Sequence, residues 1–552
     1  MHWPQPVYMT PAQARLTLSS TPAGEKPGQE IRIAAIDIGS NSIRQTIADV
    51  SPGGSIRVVD EMRASPRLGA GLDRTGKLSE IAVENALATL SRMATLAKQQ
   101  GAKRTEVVAT SAVREASNGA MFLNLVREHT GLKVRVLEGS DEARLSFLSA
   151  LAHFDLGSGR AVVMDIGGGS LEIVLSADGL IDRLISLPMG AIRMTEQFLV
   201  GDTPQRGMKR LRKFVRKELK KHLSAKHWRA AQVISSGGTF TNLASIHLAR
   251  LGMESARTVH GTIVPRIELE HIVDTLHNMS PSERQGVPGL SPARADIIVA
   301  GFAVAAEVLA RLDVSDLVVS AYGIREGILL EAARVTPAAA DPGEARERSV
   351  RELAQRSHFE QPHAERVQRL ALELFDAIGA RLGCTPEERQ ILSDAALLHD
   401  IGYHINYDKH HKHSYHLIQH AGLMGVTPRE QIAVANIARY HRGAEPKGKH
   451  GNFRQLDSEL QDMIRRLSAI LRVADGFDRG HAGAVEHLKV RWTKRALRIT
   501  AVPNPKAISM RLDLWGASRK SSLLAEIADT KVEIVAPDGS VLSYEDAGDA
   551  AD

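Results

Sequence analysis

Residues 31–50 read IRIAAIDIGSNSIRQTIADV, and residues 160–176 read RAVVMDIGGGSLEIVLS. Each is an apolar run that ends in Asp-x-Gly and resumes as a second apolar run, the pattern of strand, tight turn and returning strand. Ile36-Asp37-Ile38-Gly39-Ser40 and Met164-Asp165-Ile166-Gly167-Gly168 are one unit used twice. Two copies of such a unit predict two similar α/β subdomains facing across a cleft. Around the first copy, residues 80–100 and 115–130 read as helices separated by the strand TEVVATSA, and KVRVLEG leads into the helix DEARLSFLSALAHF. After the second come the strand AQVISSGGT, the helices FTNLASIHLARL and RADIIVAGFAVAAEVLARL, and the closing LVVSAYGIREGILLEAA.

The stretch VTPAAADPGEA (335–345) reads as a linker. Beyond it the alternation gives way to a 3.6-residue period in HAERVQRLALELFDAIGARL, EERQILSDAALLHDIG, PREQIAVANIARYH and DMIRRLSAILRVADGF. From about Val485 strands return (HLKVRW, ALRITAV, KVEIVAP, SVLSYE) around one helix, SLLAEIADT. The expected division is a flexible tail at 1–29, α/β subdomains at 30–160 and 161–335, a helical domain at 346–482 and a small α+β domain at 485–545. With 43% hydrophobic and 24% charged residues, the 552-residue chain is too balanced for wholesale disorder. Cys384 is its single cysteine, which excludes an intrachain disulfide and suits a reducing compartment. No basic segment precedes an apolar run in residues 1–30, and the longest apolar stretch, 297–306, is too short to span a bilayer. A cytoplasmic protein without a membrane is the expectation.

Three loops share one character: Asp37-Ile38-Gly39-Ser40-Asn41-Ser42, Asp165-Ile166-Gly167-Gly168-Gly169-Ser170 and Ser235-Ser236-Gly237-Gly238-Thr239. Glycines let backbone N–H groups approach anionic oxygens, and Ser, Thr and Asn add donors. Asp37 and Asp165, at strand ends beside these loops, suit a hydrated Mg²⁺ that bridges phosphate oxygens. A hairpin would bring Glu172 to the same mouth as Asp165.

Taken in order, IDIGSNSIR, ATSAVREA, LEGSDEARL, MDIGGGSLEIV, SSGGTFTNL and SAYGIREGIL resemble the exopolyphosphatase / guanosine pentaphosphate phosphatase family. That family belongs to the actin-like superfamily shared with sugar kinases. The resemblance is strong over about residues 30–335, and the helical region fits the longer members. It implies two actin-like (ribonuclease H-like) α/β subdomains around a cleft, followed by an all-helical domain and a small α+β domain. It also implies that Glu142 is the catalytic glutamate that deprotonates the attacking water and that Arg114 holds a substrate phosphate. Asp165 and Glu172 then match an acidic pair near the divalent metal, with Gly39, Ser40, Asn41, Gly168, Gly169, Ser170, Gly238 and Thr239 at phosphate-loop positions, beside Ser42. Asp141 departs from the glutamate that the family commonly has next to the catalytic one.

Two further features stand out. Residues 206–229 hold eleven Lys or Arg against one Glu, more positive charge than the +6 of the whole chain. Met208, Leu211, Val215 and Leu219 form an apolar stripe, so the rest is either a solvated face or a track for a polyanion. Aromatics are only 4% of residues, which disfavours base stacking and specific nucleic-acid binding. The second feature is His363, the His399-Asp400 doublet and Asp475, which have the order of the HD metal-dependent phosphohydrolase motif. His413 and His441 could complete a second metal position. Seven of the 22 histidines lie between 399 and 420. Such mixed ligands suit Mn²⁺, Fe, Zn²⁺ or Mg²⁺ alike.

The reading is an exopolyphosphatase that uses Mg²⁺ (or Mn²⁺) to remove terminal phosphates from inorganic polyphosphate and also acts on guanosine pentaphosphate. A homodimer and a second divalent metal in the HD-like domain accompany it. An actin-like ATP-dependent kinase and a sensor that binds without turnover are the alternatives.

Overall fold

The structure, a computed structural model, describes residues 7–9 and 30–542 apart from 53, 158, 202, 225–227, 229, 231, 254–257, 336–341 and 424. The chain divides into two compact units, one formed by Met1–Leu251 and Val259–Pro342, the other by Gly252–Thr258 and Gly343–Asp552. The division falls inside the expected linker, most of which lies outside the described residues.

The first unit holds two mixed sheets. One is built from β2 (Ile31–Ile38), β3 (Ile43–Val50), β4 (Ile56–Ala64), β5 (Arg104–Ala109) and β6 (Val134–Val136), in the order β4-β3-β2-β5-β6. The other centres on β7 (Arg160–Ile166), β8 (Leu171–Ala177), β9 (Leu180–Leu187) and β10 (Gln232–Ser236). Its edges are β1 (Val7–Met9), antiparallel to β9, and β11 (Thr262–Pro265), antiparallel to β12 (Asp316–Val319), giving the order β1-β9-β8-β7-β10-β12-β11. In each sheet an antiparallel three-stranded meander continues through its first strand into two parallel strands. The duplication read from the two Asp-x-Gly stretches is therefore a duplication of topology. Both central strands are buried on two faces, with Ile33 to Ile36 in one and Ala161 to Met164 in the other, so they read as continuous apolar runs.

Two sequence expectations need correction here. The helix Gly139–His153, placed in the first subdomain, packs on β7, β8 and β9 of the second sheet. In exchange, the helix Ile324–Ala332 returns to pack on β2, β3 and β5. The apolar faces decide this: Ala143, Phe147, Ala150 and Leu151 join Val163 and Val174, while Ile328 and Leu329 join Ile33, Ala35 and Val108. The two helices cross at Gly327, where a Cβ would stand 2.1 Å from the Leu145 carbonyl oxygen. The boundaries 30–160 and 161–335 thus follow the sheets but not the helices that cover them. At the N-terminus, Val7–Met9 is a paired strand rather than tail; the rest of 1–29 lies outside the described residues.

The second unit consists of helices, chief among them Gln361–Ile378, Glu388–Leu398, His410–Gln419, Pro428–Arg439 and Ser458–Gly476. They are joined by a four-stranded sheet ordered β13 (Val485–Trp492), β14 (Ala496–Pro503), β15 (Lys531–Val535) and β16 (Val541–Leu542). The sequence pattern predicts two separate domains here. Instead Leu497, Ile499, Leu523, Val532 and Ile534 share one apolar core with Leu374, Ile464 and Leu467. The sheet covers helix Gln361–Ile378, and a sheet this small needs such a partner to hide its apolar face. Among the described residues, no helix is long and apolar enough to cross a membrane.

Candidate active site

The two repeated hairpins meet loop to loop. In each, four loop residues separate the strands and are closed by one backbone bond, Gly39 N to Ser42 O at 3.1 Å and Gly167 N to Ser170 O at 3.0 Å. The Asp at each strand end faces the residue seven positions later: Asp37 pairs with Arg44, and Asp165 with Glu172. The loops approach so closely that a Cβ on Gly168 would lie 2.9 Å from Ser40 Cβ, and one on Gly169 2.2 Å from Ser111 Oγ. Glycine is required there because two backbones share the space that one side chain would fill.

Between the loops is a cavity of about 120 Å³ lined by Asp37, Glu142, Asp165 and Glu172 together with Gly39 to Ser42, Gly168 to Ser170 and Gly238. Most of the expected site residues therefore converge. Asn41 turns a buried side-chain amide into this region with neither its oxygen nor its nitrogen hydrogen-bonded, as a ligand-binding group would. Thr239 does not take part: it is fully buried and its hydroxyl donates to the Ile166 carbonyl at 3.1 Å. Two residues on, Thr241 lines the cavity instead. Gly237 has a φ of 91°, and a Cβ there would stand 2.4 Å from Asp165 Oδ1.

Glu142 sits in the first turn of helix Gly139–His153 with its side chain 9% exposed. Arg114 Nη1 donates to Glu142 Oε1 at 2.7 Å and also contacts the Leu137 carbonyl. Arg114 thus reaches the site through Glu142 and does not line the cavity. Burial, reinforced by the neighbouring Glu172 charge, raises the Glu142 carboxyl well above the ordinary range, and Arg114 opposes that rise. Glu172, held by Ser186 Oγ at 2.8 Å, is pushed up to about 7 by burial and by Asp165. Asp37 is pushed up to about 6, mainly by burial. Asp165 is raised by burial against the pull of Ser236 Oγ at 2.8 Å. Asp141 acts locally, since its Oδ2 accepts from Glu138 N at 3.3 Å and caps the helix that carries Glu142.

Three basic lining residues were missed from sequence. Arg44, Arg294 and Arg325 line the same cavity. Arg325 is engaged by Glu61 at 3.0 Å, while Arg294 Nε has no hydrogen-bond partner. Burial, with repulsion from neighbouring guanidiniums, lowers Arg44 to about 10 and Arg294 to about 9. Arg294 lies flat over Gly238, where a Cβ would stand 2.2 Å from its Nη2. Arg44 was accessible to sequence reasoning, because it holds in the first hairpin the place of Glu172 in the second. Arg294, in a short helical turn far along the chain, carried no such signal.

The carboxylates Asp37, Asp165 and Glu172 are hard oxygen donors lining this cavity, and Asp37 Oδ1 is buried without a partner, which fits a divalent cation. They stand apart, as for an ion that keeps its water. Among the described residues, groups of three ligand atoms within 4.8 Å of one another all lie in the second unit.

Those groups are His363 with His399 and Asp400, His399 with His441 and Asp475, and Asp400 with His410 and His441. Every expected ligand converges except His413, whose place His410 takes. On helix His410–Gln419 the inward face carries His410, Ser414 and Ile418, and position 413 falls off it, partly exposed. Gly402 permits the contact, since a Cβ there would meet the His410 carbonyl oxygen at 2.1 Å. Asp400 faces both ways: Oδ2 is 3.5 Å from His399 Nε2 and 3.7 Å from His363 Nε2, while Oδ1 is 3.2 Å from His410 Nε2 and 3.3 Å from His441 Nε2. All four rings are oriented from behind through Nδ1, by Asp478 Oδ2 at 2.8 Å for His363, and by the carbonyls of Ala396, Ala438 and Tyr407 for the others. This leaves four Nε2 atoms pointing inward, the outer-sphere pattern of metal-binding histidines.

On the basic helix, now Pro204–His222, the apolar stripe is buried as expected. Arg212 and Arg216 clamp the buried Glu307 at 3.0 and 2.6 Å, so these two cations are structural. Lys209, Lys213 and Lys217 lie exposed, four residues apart on one face.

Comparison with known proteins agrees with this architecture. The profile of the Ppx/GppA phosphatase family matches residues 46–335, and that of Ppx/GppA phosphatase domain III matches 345–505. Exopolyphosphatase 1 of Mycobacterium leprae is 32% identical over 304 residues, covering 54% of this chain and 89% of its own. The protein of the same name from Mycobacterium tuberculosis is 31% identical, with 54% and 88% covered. The crystal structure of an exopolyphosphatase from Cytophaga hutchinsonii covers 55% of this chain and 98% of its own at 25% identity, with a TM-score of 0.51. With two duplicated sheets closing a phosphate-type cleft and a profile match over more than half its length, the chain belongs to the Ppx/GppA phosphatase family.

Proposed function

We propose that the chain is an exopolyphosphatase, hydrolysing the terminal phosphoanhydride bond of inorganic polyphosphate and, by the same bond chemistry, of guanosine pentaphosphate. The observation that carries the proposal is the lining of one cavity by the buried carboxylate of Glu142 together with the guanidiniums of Arg44 and Arg294. Phosphoryl transfer asks little covalent work of a protein; it asks for position and charge. The loop amides around Ser40 and Gly168 would hold the terminal phosphate, and Arg44 and Arg294 the phosphates behind it. Arg114 fixes one oxygen of Glu142 and leaves the other for a water proton. A carboxyl raised above its ordinary range accepts that proton more readily near neutral pH. The water oxygen bonds to the terminal phosphorus as the anhydride oxygen leaves with the shortened chain. Magnesium held by Asp37, Asp165 and Glu172 would supply further neutralisation of the non-bridging oxygens. The named relatives, exopolyphosphatases over the matched region, support the reading.

The test is phosphate release by the Glu142→Gln variant from long-chain polyphosphate and from guanosine pentaphosphate, side by side, with Mg²⁺ or Mn²⁺. A fall of about 10²–10⁴-fold is expected for loss of a general base. Near-wild-type release would refute the assignment. Phosphorylation of an acceptor from ATP would instead mark a kinase, and tight binding of polyphosphate without release by the unaltered protein a sensor.

We also propose that the second unit is an HD-type metal domain, binding divalent metal through His363, His399, Asp400, His410, His441 and Asp475. The inward Nε2 atoms, each within 3.7 Å of an Asp400 carboxylate oxygen, support it. Loss of bound metal in the variant combining His399→Ala with Asp400→Ala tests it; unchanged metal content would overturn it.

A further inference from the structure

We infer that Arg67 is a positioning residue of the phosphate path: it reaches across from the first sheet and fixes the turn that presents Arg294. The inference rests on the reading of Arg294 as a phosphate contact, proposed above. Arg294 ends the short helical turn Pro292–Arg294, is 6% exposed and has no partner for its Nε, so its guanidinium stands where the backbone carrying it is held. Before the turn, Ser291 N donates to Asn242 Oδ1 at 2.7 Å; after it, Arg284 Nη1 donates to the Ala295 carbonyl at 3.1 Å. Both holds belong to the half of the unit built on the second sheet, whose core includes Leu276, Leu290 and Ala295. The third hold comes from Arg67. Its Nη2 donates to the Ala293 carbonyl at 2.9 Å and to Asp296 Oδ1 at 2.8 Å, and its Nη1 donates to Asp296 Oδ2 at 2.7 Å. One guanidinium therefore grips the chain on both sides of Arg294.

The mount of Arg67 separates it from an ordinary surface ion pair. Its φ is 56°, in the left-handed region that a non-glycine residue keeps only where its surroundings hold it there. Arg67 N donates to the Asn41 carbonyl at 3.3 Å and Gly69 N to the Ser40 carbonyl at 2.8 Å, while Leu68 between them is fully buried in the core of the first sheet. Ser40 and Asn41 belong to the loop proposed to hold the terminal phosphate. Residues 67–69 are thus fastened to that loop through the backbone and to the Arg294 turn through one side chain. Two phosphate contacts carried by different sheets are thereby set at one spacing, which a substrate of linked phosphates needs. The side chains of Arg67 and Asp296 are 39% and 40% exposed, and an ion pair so exposed adds little to stability. A shift of about 1 Å in a substrate-binding group, by contrast, is enough to weaken the productive complex.

The test is a double-substitution cycle on long-chain polyphosphate hydrolysis by the full chain, with KM and kcat read separately and melting curves recorded in parallel. Arg67→Met should raise KM about five-fold or more, change kcat at saturation by less than about two-fold, and leave the melting curve in place. Asp296→Asn should do the same. In the Arg294→Ala background, Arg67→Met should raise KM no further, because the group it positions is gone; a merely structural role would act equally in both backgrounds. Arg67→Lys should be intermediate, since an ammonium can pair with Asp296 but lacks the planar fork that also reaches the Ala293 carbonyl. If Arg67→Met lowers the melting curve, the same cycle run with Arg67→Lys decides. A parental KM in Arg67→Met beside a raised KM in Arg294→Ala overturns the positioning role and leaves the phosphate path standing. Effects of Arg67→Met and Arg294→Ala that multiply independently also overturn it. A parental KM in Arg294→Ala overturns the positioning role and the phosphate path together.

Discussion

Replacing Asp37 by Asn should make the metal-free protein more stable at neutral pH while destroying its activity. Asp37 ends strand β2 at the mouth of the cleft, its Oδ1 buried without a partner. Burial pushes its carboxyl from an ordinary 3.8 up to about 6, against the attraction of Arg325 and Arg44. The folded chain therefore holds this proton more tightly than the unfolded chain, and the ionised carboxylate opposes folding. At 1.36 kcal/mol per pKa unit the penalty is about 3 kcal/mol once both states are ionised. It is absent below pH ~4, grows between pH ~4 and ~6, and is complete above that. An Asn amide, also without a partner, recovers less; about 1 kcal/mol is lost to the unsatisfied group, leaving a gain of about 2 kcal/mol. Denaturant unfolding of the metal-free protein, read for the first unit at pH 8 and at pH 4, measures it. The gain should appear at pH 8 and give way at pH 4 to a loss of about 1 kcal/mol, and Mg²⁺ should stabilise the parent chain more than the variant. A variant less stable than the parent at pH 8, or a gain of equal size at both pH values, would refute the reasoning.

The lining arginines make a distinct prediction: Arg44→Ala or Arg294→Ala should raise KM for polyphosphate about ten-fold or more, at ~1.5–3 kcal/mol per charged hydrogen bond, whereas an unchanged KM would remove these residues from the phosphate path. Gly238→Ala drives a Cβ to 2.2 Å from Arg294 Nη2, so it should reproduce the KM defect of Arg294→Ala and cost about 1–3 kcal/mol in unfolding experiments. Converting Lys209, Lys213 and Lys217 to Gln should flatten the salt dependence of polyphosphate binding without lowering kcat at saturating substrate; an unaltered salt slope would leave that helix face merely solvated.

The sequence carried the site's skeleton because the two hairpins are local structures. Asp-x-Gly followed by a returning strand sets its own register, so Asp37, Asp165, Glu172 and the loops between them were legible from spacing. The same arithmetic, applied to both copies, reaches Arg44. Glu142 lies at the start of a helix after a strand, where spacing alone is silent, and the family resemblance singled it out. The HD doublet was legible for the same reason as the hairpins: Gly402, two residues after it, admits the helix that brings His410.

What the sequence could not carry are choices among groups with equal local claims. His410 and His413 are both histidines on one helix, and the direction of its buried face chose between them. Thr239 and Thr241 share the first turn of one helix, and the carbonyl of Ile166 took the first. Arg294 is a single cation remote in sequence from the groups it meets, and no periodicity announces such a meeting. The exchange of helices Gly139–His153 and Ile324–Ala332 between the two sheets belongs to the same class, since an apolar helix face fits either sheet until the other is occupied. By itself, then, the sequence determined the duplicated Asp-x-Gly hairpins, because backbone turns and alternation act over a few residues, and it singled out the histidine–aspartate cluster. The tertiary structure alone decided which arginines join the carboxylates in the cavity, which histidine completes the cluster and which sheet each helix covers, because packing and charge act between residues that chain order does not relate.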